Sequence, residues 1–107
     1  GKVVGCVSLR KINKRNKNAE LSYWIGEKYW GRGFATKAVK LALKFAFEKL
    51  KLHRIYAVTF EENVASRRVL EKNGFKFEGV SREVSFRYGK WRNKLRFGIL
   101  ESEWKHG

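Results

Sequence analysis

Residues 19–39 read AELSYWIGEKYWGRGFATKAV, and the succession of patterns in them decides the fold. From Ala19 to Ile25 the chain alternates, with Leu21, Tyr23 and Ile25 on one face and Glu20, Ser22 and Trp24 on the other, which predicts a strand. The following GEKYWGRGFAT carries three glycines and no alternation, so it reads as a loop. Phe34, Ala38, Leu41, Ala42 and Phe45 then recur at helical spacing and predict a helix from about Gly33 to Leu50. A strand that passes through a glycine-rich loop into a long helix collects backbone N–H groups and the positive end of the helix dipole in one place. Trp30-Gly31-Arg32-Gly33-Phe34-Ala35-Thr36 can therefore hold a pyrophosphate through its backbone, with glycines allowing close approach. The loop is neither a Walker A loop nor a dinucleotide fingerprint, since no Gly-Lys-Ser/Thr ends it and no G-x-G-x-x-G occurs. On these residues alone an ordinary strand-to-helix turn stays open.

Upstream, Lys2 to Lys11 is valine-rich and reads as a strand, and the polar KINKRNKNA supplies Asn13, Asn16 and Asn18 for the turn of a hairpin. Downstream, Lys37, Lys40 and Lys44 mark a solvated helix face, with Glu48 spaced to pair with Lys44. Arg54 to Phe60 is β-branched and aromatic and predicts a strand. Asn63 then stands as N-cap of a helix from Val64 to Asn73, and Gly74 follows where a left-handed residue ends a helix. From Phe75 two strands are expected, joined near Tyr88-Gly89-Lys90, the second from about Lys94 to Glu103. The order is β-β-α-β-α-β-β, an α+β class with a mixed, mostly antiparallel sheet and two helices, in a single domain over residues 1–107.

Composition agrees with one packed domain: 43% of the residues are hydrophobic, none is proline, and no repeat or low-complexity stretch interrupts them. Twenty-five Lys and Arg against ten Asp and Glu give a net charge of +15, a field that favours anionic partners and opposes polycationic ones. Cys6 is the sole cysteine, so no internal disulfide forms and a reducing, cytoplasmic setting is expected. Its neighbours Val3, Val4, Val7 and Leu9 predict a buried, inert thiol. His53 and His106 stand apart and offer no metal-ligand spacing, so no metal is expected. No apolar run long enough for a membrane span occurs, and no signal-peptide pattern opens the chain.

The 19–39 segment resembles the acetyl-CoA-binding segment of the GNAT superfamily, whose pattern is Arg/Gln-x-x-Gly-x-Gly/Ala. Gly33 and Ala35 occupy its last two defined positions, while Trp30 replaces Arg/Gln at the first, as in the RimJ/RimL-like branch. ENVASRRVLEKNGFKFEG, residues 62–79, is similar to the same branch at Asn63, Ser66, Gly74, Phe75, Glu78 and Gly79, and Tyr88 to Trp104 resembles it as well. The resemblance covers most of the chain in the right order. It implies transfer of an acetyl group from acetyl-CoA, as cosubstrate, to a primary amine, most directly the α-amine of a protein N-terminus. GNAT domains usually run to about 150 residues, so the chain is expected to be short at its N-terminal end. The expectation follows that it binds CoA but is a poor catalyst by itself.

The resemblance also implies roles. Amide formation needs a neutral amine, a polarised thioester carbonyl and a stabilised leaving sulfur. Glu20 matches a glutamate that some family members use as general base. Many members carry a tyrosine in the second helix to protonate the sulfur; Leu70 stands at the comparable position, and Ser66 matches a serine of the RimL-like branch instead. Trp24 and Ile25 correspond to strand residues whose backbone pairs with the pantetheine arm, Asn63 to a residue that hydrogen-bonds it, and Gly31, Arg32, Gly33, Phe34, Ala35 and Thr36 to the pyrophosphate loop. Arg32, Lys37 and Arg67 are candidate phosphate partners. Each also has a plain reading: strand carboxylate, helix-start serine, N-cap, core packing. The charge surplus and aromatics such as Tyr88 and Trp91 keep open a rival expectation, a catalytically weak GNAT-shaped module associated with ribosome or RNA. A homodimer formed along an open sheet edge is a third.

Overall fold

The computed structural model describes residues 5–25 and 33–106. Its elements are β1 (Gly5–Asn13), β2 (Asn18–Ile25), α1 (Phe34–Lys44), β3 (Arg54–Phe60), α2 (Val64–Lys72), β4 (Lys76–Arg87) and β5 (Lys90–Leu100), in the predicted order, and then a terminal α3 (Glu101–His106) beyond the two helices expected. The strands form one sheet in the order β1-β2-β3-β5-β4. β2 and β3 are parallel, and the other three pairings are antiparallel.

Alternation along the strands builds the core. Ala19 and Leu21 of β2, Ile55 and Ala57 of β3, and Leu95, Phe97 and Ile99 of β5 are buried on one sheet face. Val39 and Leu43 of α1 and Leu70 of α2 close over them, joined by Ala46, Phe47 and Phe75. Every one of these apolar side chains leaves water, the main favourable contribution to folding.

Three differences from the sequence reading have physical causes. The helix begins at Phe34 as expected, but its last turn, Phe45–Lys49, widens into a π-helix in which Leu50 N donates to Phe45 O (3.1 Å). Its core-facing residues are Val39, Leu43, Ala46 and Phe47, while Leu41 and Phe45 of the expected apolar row are 68% and 52% exposed. The helix is thus real and its buried stripe lies on neighbouring residues. No ion pair joins Lys44 to Glu48 among the described residues.

The second difference is at the end of β5, which stops at Leu100 rather than continuing to Glu103. Glu103 Oε1 accepts the Leu100 N–H (2.9 Å), the side-chain-to-backbone half of a capping box, and this turns the chain into α3. Trp104 then packs on Phe47 with ring centroids 5.3 Å apart. Third, Cys6 is exposed, not buried: it lies on edge strand β1 with its side chain turned away from the core.

Candidate active site

The site begins where a strand pairing ends. β2 and β3 share only three register pairs, Asn18 with Arg54, Ala19 with Ile55 and Glu20 with Tyr56. Beyond them β2 stays paired to β1 as far as Ile25, and β3 stays paired to β5 as far as Phe60, but the two no longer bond to each other. The sheet is split from Leu21 onward on one side and Ala57 onward on the other, leaving backbone edges to which an extended arm can add as a strand. The cleft so formed has a volume of about 320 Å³ and is lined by Glu20, Tyr23, Thr59, Phe60, Ser66 and Lys94 among others.

Local capping places the polar groups. Asn63 caps α2, its Oδ1 accepting the Ser66 N–H at 3.1 Å, which fixes the first turn of the helix against the cleft. Ser66 Oγ then meets the Tyr23 hydroxyl at 2.8 Å, and the same hydroxyl lies 3.0 Å from the Ser66 carbonyl, to which it can only donate. Burial raises the Tyr23 phenol above its ordinary value of 10.0, and the hydrogen bond to Ser66 opposes that rise only in part. At neutral pH Tyr23 therefore keeps its proton. Thr59 is the buried polar residue of the same wall, 7% exposed.

Glu20 is the last β2 residue paired to β3; it is half-buried, faces the cleft and lies in register with Arg10 on one side and Tyr56 on the other. The structure thus brings Glu20 and Ser66 into one cleft. Trp24 and Ile25 contribute backbone to β2, opposite Cys6 and Gly5. Gly31 and Arg32 lie outside the described residues. Gly33 has φ +76, the left-handed conformation that glycine permits, and precedes α1 directly. Phe34, Ala35 and Thr36 form the first turn, ahead of the Lys37 N–H that bonds back to Gly33 O (3.0 Å). Thr36 sits apart from the Glu20–Ser66 cleft, on a larger cavity of about 830 Å³ that it shares with Lys40, Lys72 and Asn73. The paired hydroxyls of Tyr23 and Ser66 and the split strands lie on the smaller cavity.

Leu70, at the position of the family's helical tyrosine, is 1% exposed in the core and carries no proton to give. Tyr23 brings a hydroxyl from the strand instead. The alternation of β2 already placed Tyr23 on the face of Leu21, and a hydroxyl on an otherwise apolar strand face was the available signal for it. Thr59 and Lys94 gave no signal in sequence.

Two features fit a phosphorylated ligand. Arg67 Nε is buried and has no hydrogen-bond partner among the described residues, a donor that an anionic oxygen would satisfy. At Gly33 an added Cβ would meet nothing within 4 Å among the described residues, which leaves the backbone there open to close approach on their side.

A family model described as acetyltransferase (GNAT) domain matches residues 1–76. The chain belongs to the GNAT acetyltransferase family. Among GNAT relatives it is similar to a putative ribosomal N-acetyltransferase, YdaF, of Bacillus subtilis, with 32% identity over 98% of this chain and 57% of that one. It is similar also to the spermidine N(1)-acetyltransferase of Escherichia coli K12, with 34% identity over 97% of this chain and 56% of that one. Among solved GNAT structures, the ribosomal-protein-S5-alanine acetyltransferase of Vibrio fischeri superposes with a TM-score of 0.88 at 27% identity, over 96% of this chain and 57% of that one. The chain spans just over half the length of these relatives. No helix among the described residues is long and apolar enough to cross a membrane, which leaves β-barrels unaddressed.

Proposed function

We propose that the chain is the acetyl-CoA-binding part of an N-acetyltransferase that acetylates a primary amine. The observation that carries this is the split between β2 and β3, whose lining includes Glu20 and the hydrogen-bonded pair Tyr23 and Ser66. The pantetheine arm adds along the free edge of β2 at Trp24 and Ile25, and Asn63 stands at the α2 end of its path. The pyrophosphate rests at the glycine corner where Gly33, Phe34, Ala35 and Thr36 open α1, with Arg67 as a charged partner, and Gly31 and Arg32 are proposed for the same role from the sequence pattern alone.

Chemistry follows from the cleft's own groups. Glu20 accepts the proton that the attacking amine must lose, directly or through water. Ser66 donates a hydrogen bond to the sulfur as the carbon–sulfur bond breaks and the electron pair stays on it. Holding amine and thioester in line supplies the rest, since orientation alone contributes about 7–11 kcal/mol in favourable cases.

For the acceptor we propose a protein α-amine. A field of +15 repels a polycation before contact and does not repel a single terminal amine to the same degree. The test is acetyl transfer to a panel of N-terminal peptides and to spermidine. Faster transfer to peptides supports the assignment, faster transfer to spermidine overturns the acceptor but not the reaction, and CoA binding without transfer reduces the chain to a binding module.

A further inference from the structure

Tyr23 has one proton and two acceptors within reach, both belonging to Ser66. If it donates to the Ser66 carbonyl, the 2.8 Å contact between hydroxyls requires Ser66 Oγ–H to donate to the tyrosine oxygen, and the serine proton is occupied. If it donates to Ser66 Oγ, the serine proton is free to turn into the cleft. The pair therefore has two proton arrangements, and an acceptor atom in the cleft selects the second.

We propose, resting on the acetyl-CoA reading above, that Tyr23 is a positioning residue for the transfer: its hydroxyl donates to Ser66 Oγ and so directs the serine's own O–H at the sulfur of the coenzyme. The carbon–nitrogen bond forms, the carbon–sulfur bond breaks, the electron pair remains on sulfur, and the amine's proton goes to Glu20 or water. Neither Tyr23 nor Ser66 loses a proton in this scheme, which suits a phenol whose burial keeps it protonated. Without the phenol, a serine in the first turn of a helix turns back to bond its own backbone, and its hydroxyl is lost to the cleft.

The same hydrogen bond acts on free CoA, whose thiol it favours as thiolate, and this supplies a test independent of turnover. Among the described residues, the other charged groups on the cleft are Arg10 and Lys11 from β1, Glu20 from β2 and Lys94 from β5. They are common to the wild type and the variants, so a comparison between these isolates the hydroxyl pair.

CoA and acetyl-CoA are titrated calorimetrically into wild type, Tyr23→Phe and Ser66→Ala across the thiol range around pH 8.5. A bound thiol with a lowered pKa makes CoA bind more tightly as pH rises, by about tenfold for one unit, whereas acetyl-CoA, which has no thiol, shows no such gain. Tyr23→Phe and Ser66→Ala are each expected to lose the pH-dependent gain for CoA, whatever change either makes in affinity for acetyl-CoA at a single pH. Tyr23→Phe with the gain intact overturns the proposal, as does a wild type without it. If Tyr23→Phe does not fold, Ser66→Ala decides by the same criterion. A wild type that binds neither ligand overturns the acetyl-CoA reading itself, a result distinct from binding without the pH dependence.

Discussion

Asn73, at the end of α2, donates from Nδ2 both to Val69 O (3.0 Å) in its own helix and to Thr36 O (3.2 Å) in the first turn of α1. One amide thereby ties the closing turn of one helix to the opening turn of the other, where the glycine corner begins. Asn73→Ala leaves the Thr36 carbonyl without this partner. The expected cost is about 1 kcal/mol of stability, read by urea unfolding, with a proportionally larger loss of CoA affinity because the corner is no longer held. Equal CoA affinity in the variant contradicts the link between the two helices and the cofactor.

Gly33 supplies a separate check on the same corner. At φ +76 a side chain is strained whatever the space, and the space itself is open. Gly33→Ala is expected to cost about 1–2 kcal/mol through backbone strain alone. Gly33→Val adds a β-branched side chain at the phosphate path and is expected to abolish CoA binding in a protein that still folds. Thermal unfolding and calorimetry on the two variants separate the effects.

How far the chain could be read in advance depended on how local each signal was. The strand Arg54–Phe60 and the helix after Asn63 coincide with their predicted spans to within a residue, because a β-branched run, an N-cap and Gly74 at φ +89 are each written in adjacent residues. The α1 stripe was misplaced because Phe34, Leu41 and Phe45 have the right spacing on a helix whose other side, Val39 and Leu43, has it too; only the sheet decides between them. The end of β5 differs because no Gly, Pro, Asn or Asp marks a stop between Ile99 and Glu103, and the Glu103 bond to Leu100 N is invisible to periodicity. In the candidate site, the family resemblance names Glu20, Asn63 and Ser66, and the structure places Glu20 and Ser66 on one cleft with Asn63 capping the helix that carries Ser66. The resemblance does not name Tyr23, whose meaning lies in a hydrogen bond to a residue 43 positions away.

The corrected phase of α1 predicts opposite outcomes for two leucines one turn-fraction apart. Leu43 is 1% exposed, and Leu43→Ala is expected to cost about 2–5 kcal/mol by creating a cavity. Leu41 is 68% exposed, and Leu41→Ala is expected to change stability by less than about 0.5 kcal/mol. Denaturant midpoints measure both, and a reversal of the two contradicts the observed packing.

A pH dependence follows from Arg54, whose guanidinium makes two hydrogen bonds to Glu78, at 2.6 and 2.7 Å, across Gly98. The hydrogen bond from Arg54 holds the Glu78 carboxyl below its usual range, against a smaller desolvation effect. A carboxylate with a depressed pKa contributes stability that is present above its unfolded value and lost as pH falls through the folded one. Thermal midpoints should therefore decline on acidification below the ordinary glutamate range. Glu78→Gln is expected to be less stable than wild type at neutral pH and to show a flatter acid limb. An acid limb unchanged in this variant assigns the loss to other carboxylates, of which Glu62 beside Arg92 and Glu103 beside Lys76 are also held low.

Binding of coenzyme A is the claim on which the site stands, and a thermal shift measures it without requiring turnover or an acceptor. A ligand that binds only the folded chain at about 100 times its Kd stabilises it by about 2.7 kcal/mol. For a domain of this size each kcal/mol moves the midpoint by about 4–8 °C. The account predicts a rise in Tm with CoA and acetyl-CoA that grows with ligand concentration and is lost in Gly33→Val. An unchanged Tm at millimolar CoA, in protein whose unfolding is cooperative, contradicts it.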